Sequence, residues 1–268
     1  MIGIIYSADD PASANAAGQL KETHDFSESR ISGRTCWKNG DIVLWEADSR
    51  LIDAKSVDTM GFEVAYFLSK HKSANGVGAF TTHPLGNWTA EAAIGGTPRE
   101  LSIAAPAEML CVLAAIARID AVGIERTYEA THHGPLLNTP SLFVELGGND
   151  AAIGNVQLAH KLADAVFSAL SGKQDLQDKV VIGIGGTHYP VKFTKLALEK
   201  GYAFAHIMPK HAILNHDGSD NLGMLSQAVE RSKAPPEAAV IDWKSINAET
   251  RNKVLKELSA IGIDYERV

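Results

Sequence analysis

The chain has 268 residues, 45% of them hydrophobic and 21% charged, enough to bury a sizeable core in one large domain or two smaller ones. A formal net charge of −7 excludes a uniformly basic nucleic-acid-binding protein, and no apolar run is long enough to span a bilayer. The two cysteines, Cys36 and Cys111, lie outside any CxxC pattern. This predicts a reduced, cytoplasmic protein without disulfides.

The first half of the chain predicts short strands mixed with helices. “MIGIIYS” lacks the basic segment of a signal peptide and predicts a strand, and “DDPASANAAGQL” predicts a helix capped by Asp9 or Asp10 with Pro11 in its first turn. “APAEMLCVLAAIARID” predicts a helix that begins at Pro106, whereas the period of “GFEVAYFLSKH” does not decide between strand and helix. Further strands are predicted in “DIVLWEA”, “NGVGAFTTHPLGNW” and “RTYEATHHGP”.

The second half alternates strands and helices more regularly. Strands are predicted in “SLFVELGG”, “KVVIGIGGTHYP”, “YAFAHIMPKHAI” and “AAVIDW”. Helices are predicted in “NVQLAHKLADAVFSALSG” up to Gly172, “KFTKLALEKG” up to Gly201, “SDNLGMLSQAVERSK” and “NAETRNKVLKELSAIG”. This alternation predicts a mixed, mostly parallel sheet with helices on both faces. We expect residues 1–268 to form one compact α/β domain, with room for a smaller subdomain within about 68–126.

Histidines follow several of the predicted strands. They are His83, the pair His132 and His133, His188, and His211. A single loop histidine is more often a surface residue, but several at strand ends favour a common site. Ligands of open α/β sheets bind beyond the carboxyl ends of the strands, so these loops meet in one crevice if the strands are neighbours. Imidazoles and carboxylates gathered there suit a divalent metal or general acid–base chemistry.

The most distinctive stretch is “YEATHHGP”, which holds Glu129, Thr131, His132 and His133. Adjacent side chains of an extended chain point to opposite sides. Both imidazoles therefore face the crevice only if the backbone turns there, for which “GP” is a turn signal; otherwise one packs behind the other. Glu145, at the end of another strand, is open to three interpretations: a metal ligand, a general base or an amine-binding carboxylate.

A glycine-rich turn, “IGGTHYP”, leads from a predicted strand to a helix. Its backbone amides at Gly185, Gly186 and Thr187 suit a phosphate or an ester oxyanion, the alternative being a tight turn that needs glycine for its backbone angles. Residues 179–210 carry five lysines against one acid, which is either a local phosphate-binding surface or a solvated helix face.

Together these motifs resemble the archaeal and plant-type D-aminoacyl-tRNA deacylases. The similar segments are “LSKHKS” with “TTHPLGNW”, “EATHHGP” with “PSLFVELG”, “GIGGTHYPVKFTKLA”, and “HIMPKHAI”. With “IGIIYSADDPASANA” the resemblance covers nearly the whole chain, and “THHGP” followed by “GGTHY” is a specific combination. Two departures stand out: “GGND” after Leu146 lacks an expected Ser-Thr-Glu, and Lys192 replaces the family's usual arginine, which loses bidentate phosphate geometry.

The resemblance implies an esterase that releases a D-amino acid from the terminal ribose of tRNA. It also implies zinc and a three-layer α/β/α fold related to nucleoside phosphorylases and peptidyl-tRNA hydrolases. The catalytic residues would be Glu129, Thr131, His132 and His133, and the metal ligands His83, Glu145 and His188. The substrate-binding residues would be Gly185, Gly186, Thr187, Lys192, Lys210 and His211. We expect a monomer that binds the acceptor end of D-aminoacyl-tRNA and no membrane.

Two other functions remain open from the sequence. The first is another hydrolase on the same fold, such as a peptidyl-tRNA hydrolase or a zinc-dependent peptidase. The second is a non-enzymatic module that binds tRNA or metal. Such a module needs the basic segment but leaves the carboxylates without a role.

Overall fold

The structure is a computed structural model, and it describes residues 1–72, 76–171, 179–215 and 217–268. The strands are β1 (Ile2–Tyr6), β2 (Ser27–Ile31), β3 (Arg34–Asn39), β4 (Ile42–Glu46), β5 (Val64–Lys72), β6 (Ala79–His83), β7 (Gly86–Asn87), β8 (Glu100–Leu101), β9 (Glu125–Tyr128), β10 (Ser141–Gly148), β11 (Lys179–Ile184), β12 (Tyr202–Met208), β13 (Ala238–Ile241) and β14 (Asp264–Arg267). The helices are α1 (Pro11–Thr23), α2 (Pro106–Ile116), α3 (Asp150–Ile153), α4 (Val156–Ser171), α5 (Val191–Lys200), α6 (Lys210–Ile213), α7 (Met224–Glu230) and α8 (Ala248–Ala260).

The large sheet has eight strands in the order β2-β3-β4-β1-β5-β10-β6-β9. Strands β4, β1, β5 and β10 run parallel to one another. The pair β6 and β9 is parallel within itself but antiparallel to β10. The sheet is therefore mixed, and residues that follow β6 or β9 lie at the opposite edge from those that follow β5 or β10.

The small sheet has four strands in the order β12-β11-β13-β14, and all its pairings are parallel. All four carboxyl ends therefore lie on one edge, which we call the carboxyl edge of the small sheet. The predicted mixed, mostly parallel pairing is confirmed, but the strands form two main sheets rather than one, because β11, β12 and β13 pair with one another and not with the large sheet. The edge strand β14 was not predicted, since its sequence “DYER” is short and charged.

Helices cover one face of the large sheet. The larger core cluster contains residues of α1, α2 and α4 together with apolar residues of both sheets. The opposite face packs against two 3-10 turns, Leu51–Asp53 and Lys55–Thr59, and that second cluster has no residue from the helices of the described chain. The prediction of helices on both faces is thus wrong for this sheet. Within the same ranges no helix combines the length and apolar character needed to cross a membrane.

Several local predictions are confirmed. Asp10 caps α1 by accepting from the backbone N–H groups of Ala12 and Ser13, and its other oxygen accepts from the N–H of Lys70 at 2.9 Å. The cap thus links α1 to the end of β5. The segment “GFEVAYFLSKH”, whose period did not decide between strand and helix, contributes to this strand. Helix α5 ends at Gly201 with a left-handed φ of +69°. Helix α2 ends at Ile116, earlier than predicted, and the predicted stop at Gly172 lies outside the described residues.

Candidate metal centre and active-site cavity

The register of the large sheet places two histidines beside Glu145 on β10. Glu145 pairs with Thr81 of β6 on one side and Ser69 of β5 on the other. Its diagonal neighbours on the same face are His83 and His71. His71 Nδ1 lies 3.4 Å from Glu145 Oε2, and His83 Nε2 lies 3.6 Å from the same oxygen. Two strands that run in opposite directions thus deliver imidazoles to one buried carboxylate.

Glu129 follows β9 directly and is fully buried. Its backbone N–H donates to the carbonyl of Thr82 at 3.0 Å, which holds it against β6. Glu129 Oε2 lies 2.7 Å from His188 Nε2 and 3.5 Å from both His132 Nε2 and His71 Nδ1. His188 comes from the turn after β11, so this carboxylate is where side chains from the two sheets meet.

The backbone at His133 explains why both adjacent histidines face the cluster. His133 has a φ of +46°, in the left-handed region that a residue with a side chain rarely adopts. With this backbone angle, successive side chains no longer point to opposite sides as they do in an extended chain. The rings of His132 and His133 lie 4.1 and 4.9 Å from that of His83. The sequence left open whether one or both imidazoles face the site, and in the structure both do.

A backbone-to-backbone contact holds this turn in place. The loop between β7 and β8 packs on Gly134, whose N–H donates to the carbonyl of Ile94 at 3.1 Å. A Cβ on Gly134 would lie 2.0 Å from the backbone nitrogen of Gly96, a separation that no side chain tolerates. The residue after the histidine pair therefore has to be glycine.

Hydrogen bonds fix the orientation of three imidazoles. The Nδ1 atoms of His83, His132 and His133 lie 3.0, 2.9 and 2.8 Å from backbone carbonyl oxygens of nearby residues. A carbonyl only accepts hydrogen bonds, so each Nδ1 carries a proton, and in a neutral ring the Nε2 atom then presents a lone pair. This is the arrangement that metal-binding histidines have when their other ring nitrogen is held by the protein.

Several buried polar atoms of the cluster lack a hydrogen bond of good geometry, even though imidazole nitrogens lie as near as 2.7 Å to them. They are His83 Nε2, both carboxylate oxygens of Glu129, and Glu145 Oε2. Each such atom costs about 1–3 kcal/mol when it stays unsatisfied, so a bound cation is the simplest account of their convergence. Imidazole nitrogens with carboxylate oxygens are the donor set that zinc prefers. The residues present therefore fit the implied metal.

The donor atoms form three overlapping groups, and within each group they lie within 4.8 Å of one another. The groups are His71, Glu129, His132 and His188; His83, His132 and His133; and His83, Glu129 and Glu145. Glu129 is common to the first and third groups. The arrangement offers enough ligands for more than one ion.

The ionisation of the cluster is uneven. Burial alone would raise the pKa of Glu145, but the adjacent His71 and His83 hold its pKa well below the ordinary carboxyl value. Burial lowers the pKa of those two histidines, and the two glutamates more than offset this, so that both pKa values are raised. This side of the cluster is a set of paired charges in the metal-free protein.

The two adjacent histidines behave in the opposite way. Burial and the neighbouring imidazoles of His83, His133 and His188 lower the pKa of His132 well below 6.5. Burial, followed by His83, lowers the pKa of His133 to about 4. Both rings are therefore neutral at neutral pH, as a metal ligand or a general base has to be.

A cavity of about 700 Å³ opens over these histidines. Its inner wall is formed by His132, His133 and His188, and its outer wall includes Trp88 and Ile94 from the loop after β7. The buried side chains of His83, Glu129 and Glu145 lie behind the inner wall and do not line the cavity. A cavity of this size accommodates a ligand the size of an aminoacyl nucleoside.

Comparison with known proteins identifies the family. The family model for D-aminoacyl-tRNA deacylases matches residues 59–266. The D-aminoacyl-tRNA deacylases of Thermococcus kodakarensis and Pyrococcus furiosus are each 33% identical to this chain, over 96% of this chain and 96% of their own length. The chain belongs to the D-aminoacyl-tRNA deacylase family. A solved structure of a conserved protein of unknown function matches with a TM-score of 0.89 and 29% identity, over 100% of this chain and 95% of the other.

Thr131 was predicted to be catalytic in this deacylase. In the structure its hydroxyl and its backbone form hydrogen bonds with β12. Its hydroxyl accepts from the N–H of Ile207 at 2.9 Å and lies 3.2 Å from His206 Nδ1. Its own N–H donates to the carbonyl of Ile207. Although Thr131 lines the cavity, its hydroxyl is already engaged in joining the loop after β9 to β12.

In the glycine-rich turn, two of the three backbone amides predicted to bind an anion are already engaged. The N–H of Gly185 donates to the carbonyl of Met208, and the N–H of Gly186 donates to Ser245 Oγ, both at 2.8 Å. The two glycines have φ of +98° and +78°, so the tight-turn interpretation accounts for them. The hydroxyl of Thr187 donates to the carbonyl of Tyr189. The turn serves the deacylase site by carrying His188.

Most of the predicted basic segment is neutralised by nearby acids. Lys192 Nζ lies 2.6 Å from Asp242 Oδ1, which corrects its predicted availability for phosphate. Lys179 pairs with Glu266, and Lys195 lies 3.8 Å from Glu199. Lys210 is exposed at the end of β12. Next to it, His211 lines the cavity, and burial, then His188 and Lys210, lower the pKa of its imidazole.

His71 is the residue of the histidine–glutamate cluster that the sequence interpretation missed. It lies within the family-like segment “LSKHKS” and near the end of β5. The stretch before it was ambiguous between strand and helix, so His71 was not counted among the strand-end histidines. Assigning β5 as a strand would have placed it with the others.

Proposed function

We propose that the chain hydrolyses the ester between a D-amino acid and the 3′-terminal ribose of tRNA, releasing the free D-amino acid and tRNA. One observation carries this proposal. Unsatisfied buried atoms of His83, Glu129 and Glu145 converge beneath the histidines of an open cavity. The full-length relatives described as D-aminoacyl-tRNA deacylases supply the substrate.

The metal in this proposal is zinc. His83, Glu129 and Glu145 hold it on the buried side, and Glu129 also faces His71 and His188 towards the cavity. When bound there, zinc would supply Lewis-acid polarisation of the ester carbonyl and would lower the pKa of water towards about 7. Glu129, which the resemblance placed among the catalytic residues, then belongs to the ligands.

The chain's own residues move the proton. His132 is neutral at neutral pH, and its Nε2 faces the cluster with a free lone pair, so it accepts a proton as water attacks the ester carbonyl carbon. The nearby carboxylate of Glu129 stabilises the imidazolium that results. The bond between the carbonyl carbon and the ribose oxygen then breaks, and the proton passes to that oxygen. His133 keeps the neighbouring wall of the site uncharged.

Hydrolysis of matched D- and L-tyrosyl-tRNA, with chelator and with zinc added back, tests the proposal. We expect release from the D form only, loss of release with chelator, and recovery with zinc. Release from N-blocked L-aminoacyl-tRNA instead would identify a peptidyl-tRNA hydrolase. Binding of tRNA without turnover of any ester would identify a non-enzymatic module. D-selective release that ignores the chelator would contradict the role of zinc alone.

Three finer expectations accompany the proposal: a kinship of the fold to phosphorylases and peptidyl-tRNA hydrolases, a monomeric state and a cytoplasmic location. Light scattering after size exclusion measures the second directly.

A further inference from the structure

The carboxyl edge of the small sheet begins at the cavity and continues away from it. The strand order brings Lys210 after β12, His188 after β11, Lys244 after β13 and Arg267 at the end of β14 into one row. His188 and the residues after β12 belong to the cavity wall. Neighbouring strands are about 4.8 Å apart, so the row extends about 14 Å from the cavity to its far end.

An aromatic and cationic stack lies at the far end of this row. The guanidinium carbon of Arg267 is 4.0 Å from the ring centroid of Trp243, and that of Arg251 is 4.9 Å from it. The ring of Tyr265 is nearly parallel to Trp243, with an angle of 8° and centroids 6.5 Å apart. Tyr265 is 39% exposed, so the stack reaches the surface.

The cations of this row keep their charge available. Among the described residues, Arg251, Arg267, Lys244 and Lys210 form no ion pair with a carboxylate, unlike Lys192, which is paired with Asp242. Arg251 donates to the backbone carbonyls of Trp243 and Ile246, and Arg267 donates to the hydroxyl of Tyr265. These neutral partners orient the guanidinium groups without cancelling their charge, in a protein whose net charge is −7.

We propose that the carboxyl edge of the small sheet binds the single-stranded 3′ end of tRNA. The terminal nucleotide enters the cavity, and the nucleotides before it follow the row towards Trp243. Single-stranded RNA is bound by cations that meet its phosphates together with aromatic rings on which its bases stack, and this edge has both. A length of about 14 Å matches about four nucleotides if their bases stay stacked at the roughly 3.4 Å spacing of a duplex strand.

This inference rests on the proposed function for its choice of RNA. It also replaces the predicted phosphate surface, because three of the five lysines of residues 179–210 are paired with acids. Arg251 and Arg267, outside that segment, take over the role.

Fluorescence anisotropy with uncharged tRNA tests the edge without any turnover. We expect Arg267→Glu and Lys244→Glu each to weaken binding about tenfold, as loss of a charge-assisted hydrogen bond does, and to reduce the slope of log affinity against log salt by about 1. Arg30→Glu makes the same charge change on an exposed arginine of β2, at the far edge of the large sheet, and should bind like the wild type. Arg267→Lys keeps the charge and should recover most of the affinity.

Steady-state hydrolysis of D-tyrosyl-tRNA provides the second readout. Arg267→Glu and Lys244→Glu should raise KM about tenfold and leave kcat unchanged, because neither residue reaches the ester. Removing the single-stranded 3′ nucleotides from uncharged tRNA should weaken binding to the wild type and to Arg30→Glu, and change little for Arg267→Glu.

Equal affinity and equal salt slope in wild type, Arg267→Glu and Lys244→Glu would overturn the inference, as would binding that ignores removal of the 3′ nucleotides. If the wild type binds tRNA through this edge but hydrolyses no D-aminoacyl-tRNA, the proposed function fails while the edge stands. Thermal unfolding of each variant separates loss of binding from loss of fold.

Discussion

The two sheets contribute to the site in opposite ways. The large sheet supplies buried groups: His83 and Glu129 are fully buried, and Glu145 is 2% exposed. The small sheet supplies His188, whose side chain is 39% exposed, and an edge of surface cations. Our proposals accordingly assign the chemistry to the large sheet and the recognition of substrate to the small sheet, and the two meet where His188 approaches Glu129.

This separation follows from how each sheet is built. In the large sheet β10 has neighbours on both sides and both faces covered, so a carboxylate on it has no access to water and needs a charged partner. In the small sheet the strands are parallel and their ends meet at one exposed edge, where long basic side chains remain solvated. Changes in the large sheet should therefore affect catalysis most.

The largest effect is expected for Glu129→Gln. The amide keeps the shape but removes the charge that three histidines face, so zinc content should fall and kcat/KM should drop more than about a hundredfold. Zinc per chain by mass spectrometry and hydrolysis of D-tyrosyl-tRNA measure both. Glu199→Gln, an exposed acid on α5, is the matched control and should change neither. A Glu129→Gln protein with full zinc and near-normal rate would remove Glu129 from the centre of the site.

A somewhat smaller effect is expected for Gly134→Ala. The added methyl would meet the backbone of Gly96, so the turn that carries His133 has to move by an ångström or more, and activity should fall about a hundredfold. Gly18→Ala, in α1 with nothing near its added methyl, should stabilise the protein by about 1 kcal/mol and leave the rate alone. Equal activity in the two variants would show that the position of the turn does not matter.

Thr131→Val should act on stability more than on the rate. Valine leaves the buried N–H of Ile207 unsatisfied, so the free energy of unfolding should fall by about 1–3 kcal/mol in urea, with kcat reduced less than tenfold. Thr131→Ser keeps the hydroxyl and should recover most of this loss. The catalytic role predicted from sequence would return if kcat fell more than a hundredfold at unchanged stability.

The smallest effect is the pH dependence of stability in the metal-free protein. His71 and His83 have raised pKa values, so they stabilise the fold below pH 6.5 and this contribution is lost as pH rises through their folded pKa values. His132 and His133 have lowered pKa values, as does His206 at about 4, and they destabilise the fold as pH falls below 6.5. Thermal midpoints should therefore peak near pH 6.5, and a midpoint that only rises from pH 4 to 9 would contradict the paired-charge description.

The sequence predicted individual strands and helices better than it predicted which of them lie next to one another. The strand-end positions of His83, His132 and His188 were readable from local patterns, and the structure brings these three together. His71 was missed because the run before it fits either a strand or a helix. Its proximity to Glu145 depends on the register of β5 with β10, which no local pattern encodes.

The predicted binding residues that already have partners in the structure share one feature. Lys192 and Gly186 looked available because their partners, Asp242 and Ser245, come 50 and 59 residues later in the chain. The same long-range pairing of β11 with β13 split the predicted single sheet into two. Local chemistry indicates what a residue can bind, but only the fold shows what already binds it.

The central claim is that a metal ion lies among the buried glutamates and the cavity histidines. Anomalous diffraction at the zinc edge, from crystals of the protein supplied with zinc, tests it most directly. The account predicts a peak about 2.0–2.2 Å from a carboxylate oxygen of Glu129 and from imidazole nitrogens of the cluster. A fully ordered cluster without a peak, with the Glu129 and Glu145 oxygens satisfied by water or by protonated histidines, would contradict it.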